Sequence, residues 1–265
     1  MTAKIIVFAN EKGGTGKSTL SMHLIVALLR AGKKVASFDL DARQGSLTQY
    51  IKNREKFAKD QNIDLPLPDH TCWTDDVAKI YSLRGRIERL MNEVDAIVID
   101  TPGAQSALAM DAMVLADSLV TPINDSLIDL DVLAHVDNAS LRITGPSHFA
   151  QSIWSTRQQR MLEKKPPLNW VVVRNRLLYN KSRNAQLMSV LLNALSRRIH
   201  FDLARGISER VVYRELFLKG LTMLDFKEDG LKMSATHSST VAQKEVLGLL
   251  NDVWGMALFP DVLAA

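Results

Sequence analysis

The stretch Asn10-Glu11-Lys12-Gly13-Gly14-Thr15-Gly16-Lys17-Ser18-Thr19 restricts the fold of this 265-residue chain more than any other. An apolar run, Ile5-Ile6-Val7-Phe8-Ala9, precedes it, and Leu20, Leu24, Ile25, Leu28 and Leu29 follow at helical spacing. Strand, glycine loop and helix in that order are the setting of a phosphate-binding loop. Glycines let successive backbone N–H groups turn inward around phosphate oxygens, and the helix N-terminus adds partial positive charge. Lys17 is placed to reach the β- and γ-phosphates, and the Ser18 hydroxyl to ligate Mg²⁺. The strict Walker A pattern has glycine where this chain has Glu11, and a second lysine, Lys12, opens the loop instead. The motif is a deviant Walker A, and ATP with Mg²⁺ is the expected ligand pair.

Composition narrows the setting. A chain that is 46% hydrophobic and 23% charged can bury a core. A lone cysteine, Cys72, excludes internal disulfides and cysteine-clustered metal sites within one chain. The apolar run Leu24 to Leu29 is too short to span a bilayer. With no charged-then-apolar leader before the first strand, a cytoplasmic location is expected. The net charge of +4 is unevenly spread. Residues 1–150 carry 16 Lys+Arg against 19 Asp+Glu, residues 151–220 carry 14 against 4, and residues 221–265 carry 3 against 6. The basic middle segment points to a polyanion partner, with a solvated surface as the plainer alternative.

Apolar runs at Ile5–Ala9, Val35–Leu40, Ala96–Asp100, Ser118–Ile123, Trp170–Arg174 and Thr222–Phe226 read as strands. Helical patterns lie near 17–31, 46–59, 75–92, 105–116, 129–141, 151–164, 182–199, 208–219 and 238–257. This alternation predicts an α/β fold with a mostly parallel sheet and helices on both faces. Residues 1–265 read as a single P-loop domain, with a helical insertion around 55–90.

Ligands of parallel sheets gather at the carboxyl ends of strands, which places Asp39 and Asp41 beside the phosphates. Asp39 is structural or an outer-shell Mg²⁺ ligand. Asp41 is the candidate for orienting the attacking water, because phosphoryl transfer needs positioning more than covalent chemistry. A helix N-cap is the alternative role for each. Ile97-Val98-Ile99-Asp100-Thr101-Pro102-Gly103 reads as a Walker B strand whose Asp100 holds Mg²⁺ and whose turn senses the γ-phosphate. Asn175 and Arg176 follow another strand, where a planar amide can pair with the adenine edge or simply make a turn.

These motifs resemble the deviant Walker A ATPases of the MinD/ParA group and, within it, the MipZ family of alphaproteobacterial ATPases that position the division plane. Lys12-Gly13-Gly14, Asp39-Leu40-Asp41 with Arg43-Gln44, and Asp100-Thr101-Pro102-Gly103 carry the likeness, as does Thr121-Pro122-Ile123-Asn124-Asp125-Ser126. So do Trp170 to Leu177, Asn193-Ala194-Leu195 with Arg197-Arg198, and Val212-Tyr213-Arg214-Glu215-Leu216-Phe217, so it runs to about residue 226. The resemblance implies an ATP-dependent switch from monomer to sandwich homodimer with slow hydrolysis. In that picture Lys12 reaches across to the partner's ATP, and Gly13 and Gly14 stay small because another chain passes close by. It also implies a ParB-like protein and FtsZ as partners, the dimer opposing FtsZ assembly.

Non-specific DNA is suggested by charge as well. Arg197 and Arg198 end one helix, and Arg210, Arg214 and Lys219 lie on the next, a pattern suited to phosphate contact and to a nucleoid-associated location. The alternative is that Arg210 and Arg214 pair with Glu209, Glu215 or the nucleotide. The tail Leu247–Leu258 is apolar but has no Lys or Arg after Lys244, so packing on the sheet is expected and membrane attachment is not. The rival readings are a ParA-type partition ATPase and a P-loop synthetase such as dethiobiotin synthetase, which lacks the signature lysine. Nitrogenase-iron-protein-like electron transfer needs cluster cysteines that Cys72 cannot supply.

Overall fold

Runs of β-branched residues buried on both sides build the centre of the molecule. The computed structural model describes residues 2–137, 142–177, 183–226 and 237–254. Its strands are β1 (Lys4–Phe8), β2 (Val35–Asp39), β3 (Asp69–Cys72), β4 (Ala96–Asp100), β5 (Ser118–Asn124), β6 (Ala134–Val136), β7 (Ile143–Pro146), β8 (Asn169–Asn175) and β9 (Asp202–Ala204). Its helices are α1 (Lys17–Arg30), α2 (Ser46–Gln61), α3 (Asp75–Ile80), α4 (Leu83–Leu90), α5 (Ala107–Leu115), α6 (His148–Leu162), α7 (Arg183–Ile199), α8 (Val212–Lys219) and α9 (His237–Trp254). Among the described residues, seven strands form one sheet in the order β3-β2-β4-β1-β5-β8-β9, and every pairing in it is parallel.

Successive residues of a strand enter opposite cores, as a period of two requires. Ile5 and Val7 of β1 pack with Phe38, Ile97, Ile99 and the buried faces of α4 to α7. Ile6 and Phe8 pack on the other side with Val98, Val120 and residues of α1, α2 and α9. The expected α/β architecture is thus the observed one. β1 lies between β4 and β5, so the chain leaves the sheet's centre at a switch point, where parallel sheets open a crevice beyond their carboxyl ends.

Several expectations are corrected. Thr222–Phe226 is a turn, not a strand. The Thr222 amide and hydroxyl both donate to Asp225, at 2.6 and 2.9 Å, and the Leu224 amide donates back to Thr222 Oγ1. Such local side-chain bonds compete with a strand ladder. The 75–92 helix breaks at Tyr81 and Ser82, where extended Ser82 caps α4 through the Gly85 amide. Within 129–141, a 3₁₀ turn (Leu127–Val132) leads into β6, which pairs antiparallel with β7; residues 138–141 lie outside the described set. The 208–219 helix starts only at Val212, because Ser208 and Glu209 bond Glu245 and the Leu177 carbonyl. The stretch 55–90 also supplies β3, the edge strand, whose polar Asp69-His70-Thr71-Cys72 hid its type.

α9 packs Val246, Leu249, Leu250, Val253 and Trp254 into the core, and Lys4 Nζ donates to the Trp254 carbonyl at 2.5 Å. Residues 255–257 of the expected helix, and Met256 and Leu258 of the apolar tail, lie outside the described residues. Among the described residues no helix is long and apolar enough to cross a membrane.

Candidate active site

The loop after β1 is shaped by backbone more than by side chains. Gly14 and Gly16 sit at φ +72 and +94, where L side chains are strained. Gly16 occupies the N-cap of α1 with no side-chain cap, and the first turn holds no acid, so the first amides stay open to an anion. A Cβ on Gly103 would lie 3.1 Å from the Gly13 backbone, which presses the Thr101-Pro102-Gly103 turn onto the loop. Thr101 ties that turn to β1 through the Phe8 carbonyl at 2.9 Å. A Cβ on Gly13 or Gly14 would meet nothing within 4 Å in this chain.

A cavity of about 740 Å³ opens above the loop, lined by Gly13 to Thr19, Asp41, Arg43, Asp100 to Ala104, Arg176 and Phe217. Ser18 Oγ donates to Asp100 Oδ2 at 2.5 Å, while Asp100 Oδ1 is buried with no partner among the described residues. Burial, with Asp39 and Asp41 nearby, pushes the Asp100 carboxyl up to about 7 despite the Ser18 bond and Lys17. A buried carboxylate with a free oxygen beside a hydroxyl is a donor set that suits a hard divalent cation. Lys17 Nζ donates to the Lys12 carbonyl at 3.1 Å, and burial lowers its pKa against the pull of Asp100 and Asp41. An incoming polyphosphate would reverse that penalty.

Asp39 and Asp41 take different places. Asp39 is fully buried and does not line the cavity. Its Oδ1 accepts from the Asp41 amide at 3.0 Å and its Oδ2 from the Thr48 amide and hydroxyl, both at 2.9 Å. Its carboxylate thereby holds the Asp41 turn and the start of α2. Asp41 does line the cavity, and it steadies its own turn by accepting from the Gln44 amide at 3.2 Å.

Asn175 lies against the loop that precedes α1. Its Nδ2 donates to the Thr15 carbonyl at 2.8 Å and its Oδ1 accepts from the Arg176 amide at 2.9 Å, so it pins the loop from the side. A Cβ on Gly16 would overlap that amide nitrogen, which is why this position needs glycine twice over. Beside it lies a second cavity of about 400 Å³, bounded by Leu20, Ile207, Tyr213 and Phe217. Gly16, Thr19, Arg176 and Phe217 line both cavities, so the two are contiguous. The Tyr213 hydroxyl there is buried without a partner among the described residues.

Lys12 turns inward along its own chain. Its ammonium donates to the Ile128 carbonyl at 2.5 Å and pairs with Asp129 at 3.2 Å, with a third of the side chain exposed. Nothing in sequence spacing links residues 12 and 129; only the fold brings the end of β5 to the loop.

The five basic residues divide. Arg197 and Arg198 are exposed at the end of α7, and Arg214 and Lys219 are exposed on α8. Arg214 pairs with Glu209 at 3.2 Å, and Arg198 lines a groove with Trp154 and His200. Arg210 is a correction: it precedes α8 and turns inward to Glu245 at 3.0 Å and Ser238 at 2.9 Å, its side chain 8% exposed. It braces the second cavity instead of presenting charge to solvent.

Three comparisons bear on this geometry. The family model described as ATPase MipZ matches residues 4–254. The Chromosome-partitioning ATPase Soj of Thermus thermophilus is 30% identical over 148 residues, covering 49% of this chain and 58% of that protein. The chain spans less than two thirds of the length of the curated relatives it matches first. A Cyanothece McdA variant solved as its ATP complex superposes with a TM-score of 0.65 at 15% identity, covering 96% of this chain and 97% of that one. The septum site-determining protein MinD of Pyrococcus horikoshii, complexed with Mg-ADP, gives 0.58 at 19% identity, covering 95% and 96%. At those identities the structural likeness speaks for the fold.

Proposed function

This chain belongs to the MipZ family of ATPases, and on that premise we propose that it is an ATP-driven dimerising switch that positions the division plane by opposing FtsZ assembly. The observation that carries the reading is the convergence of Lys17, Ser18 and Asp100 on one cavity above an uncapped helix N-terminus. The triphosphate lies along Gly13 to Thr19, and the base enters the adjoining cavity against Leu20, Tyr213 and Phe217. Ser18 and Asp100 hold Mg²⁺, which neutralises phosphate charge when bound. Asp41 orients the attacking water, and Asp39 keeps the Asp41 turn in place. Thr15, Thr19 and the Gly13-Gly14 amides cradle the phosphates, and Arg176 borders both the phosphate and the base compartments.

Dimerisation requires Lys12 to leave Asp129 and reach the partner's nucleotide. The Lys12 ammonium is about a third exposed, and a polyphosphate offers it more negative charge than the single Asp129 carboxylate does. Non-specific DNA contact falls to Arg197, Arg198, Arg214 and Lys219, with Arg210 removed from that surface. A ParB-like protein is the proposed recruiter of the monomer, and the nucleoid the place of action.

The likeness to the Thermus Soj favours a second reading, a ParA-type partition ATPase with cargo segregation as its output. One preparation separates them. Phosphate release with Mg-ATP is measured first, then FtsZ sedimentation with the protein and ATP present. The first reading expects FtsZ polymer to fall in proportion to dimer; turnover with undiminished polymer leaves the partition reading in its place.

A further inference from the structure

A line of hydrogen bonds runs from the edge strand to the turn that carries Asp41, and with a neutral His70 ring its proton directions are fixed. The Asp39 carboxylate can only accept, so the Thr48 hydroxyl, 2.9 Å away, gives its single proton to Asp39 Oδ2. The Thr48 oxygen also meets His70 Nε2 at 3.0 Å, and must accept there, which makes Nε2 the protonated ring nitrogen. His70 Nδ1 is then the acceptor for the Ser37 hydroxyl at 2.9 Å. Ser37 stands on β2 in register with His70 on β3, and Ser37 and Asp39 are both fully buried. At the far end, Asp39 Oδ1 takes the Asp41 amide at 3.0 Å. No donor in this line points at another donor.

α2 gives the arrangement a second purpose. Its N-cap is Gly45 in the left-handed region, which has no side chain to cap with. Asp39 does that work from β2 by accepting the Thr48 amide at 2.9 Å. One planar carboxylate therefore sets both the start of α2 and the backbone of Asp41. Rotation of that plane would shift both together.

We propose that Thr48 and His70 are positioning residues for nucleotide hydrolysis, fixing the Asp39 carboxylate and through it the turn that presents Asp41 to the cavity. The proposal rests on the ATPase reading and on Asp41 as the water-orienting group. Neither residue lines the cavity, so neither touches nucleotide. Their loss should act on the chemical step and leave binding alone, because a displacement of about 1 Å at a positioned group costs roughly 100-fold in rate.

The test is steady-state phosphate release with Mg-ATP on wild type, Thr48→Val, Thr48→Ser, His70→Leu and His70→Gln. Thr48→Val should lower kcat by about tenfold or more with KM for ATP within about twofold of wild type. Thr48→Ser should restore kcat to within about twofold. His70→Leu should lower kcat, and His70→Gln, whose amide donates from near the Nε2 position, should recover most of it. Thr48→Val turnover equal to wild type, or a matching loss of ATP affinity, overturns the proposal. An independent reading comes from the imidazole ¹⁵N shifts of His70, which should show Nε2 protonated; the opposite tautomer overturns it whatever the rates. Wild type without turnover would instead remove the ATPase reading itself.

Discussion

Asp225→Asn is the substitution whose cost follows most directly from the structure. Arg54 is fully buried on α2 and Asp225 is 1% exposed in the turn after α8. The guanidinium meets the carboxylate through Nη1 at 2.8 Å and Nη2 at 2.9 Å, and Arg30 of α1 adds a bond at 2.5 Å. Burial alone would raise the Asp225 pKa, but the bonds and charge of Arg54, the Arg30 bond and the Thr222 amide bring it down to about 2. A carboxyl held that far below its ordinary 3.8 represents about 2–3 kcal/mol of stability. The contribution is complete above pH 3.8 and disappears as pH falls through 2.

The asparagine keeps the shape and removes the charge, stranding Arg54 in the core. Breaking a buried pair this way costs about 3–5 kcal/mol, a fall in Tm of roughly 10 °C for a domain of this size. Urea unfolding followed by fluorescence reports it, since Trp170 and Trp73 are buried at 2% and 6% exposure. The double variant Arg54→Met/Asp225→Asn should be less destabilised than the sum of its singles by more than about 1 kcal/mol. A loss below about 1 kcal/mol for Asp225→Asn, or strict additivity, would mean that Arg54 and Asp225 are not coupled as a buried pair.

Asp41→Ala should retain ATP and accumulate dimer while turnover falls by about 100-fold or more, read by phosphate release beside light scattering; unimpaired turnover removes Asp41 as the water-orienting group. Charge reversal at Arg197 and Arg198 should weaken DNA binding and lower the salt slope by about one per residue, whereas Arg210→Glu should destabilise the fold by opposing Glu245. A salt slope unchanged by the α7 substitutions moves the DNA surface elsewhere. His23 is fully buried, its pKa driven down to about 4 chiefly by desolvation, and its Nε2 accepts the Met223 amide. Its neutral form therefore stabilises fully above pH 6.5, and about 3 kcal/mol should vanish as pH falls from there to 4. His23→Gln should flatten that part of a stability–pH curve, and an unaltered curve would assign the acid transition to other groups.

Much of the fold was legible because its signals are local. The strand-loop-helix of Ile5 to Leu29 and the run ending at Asp100 carry their own period and glycines, and the sheet sets Phe8 opposite Asp100 in register. What escaped reading depends on distant partners. Arg210 looked like a surface cation because Glu245 stands 35 residues on. The bond from Asn175 to the Thr15 carbonyl spans 160 residues and has no local signal. Thr222–Phe226 has the apolar content of a strand, and only the Thr222–Asp225 bonds reveal a turn. His70 and Thr48 sit in polar stretches with no motif, so their line to Asp39 emerges only when β3 docks on β2.

On the proposed reading, bound ATP joins two copies through Lys12. Multi-angle light scattering of the 29.5 kDa chain with Mg²⁺ and a non-hydrolysable ATP analogue tests it most directly, with ADP and Lys12→Ala as controls. The wild type should double its mass with the analogue alone, and Lys12→Ala should stay monomeric in every condition. A wild-type chain that remains monomeric when saturated with the analogue, or a Lys12→Ala chain that pairs as readily, contradicts the account.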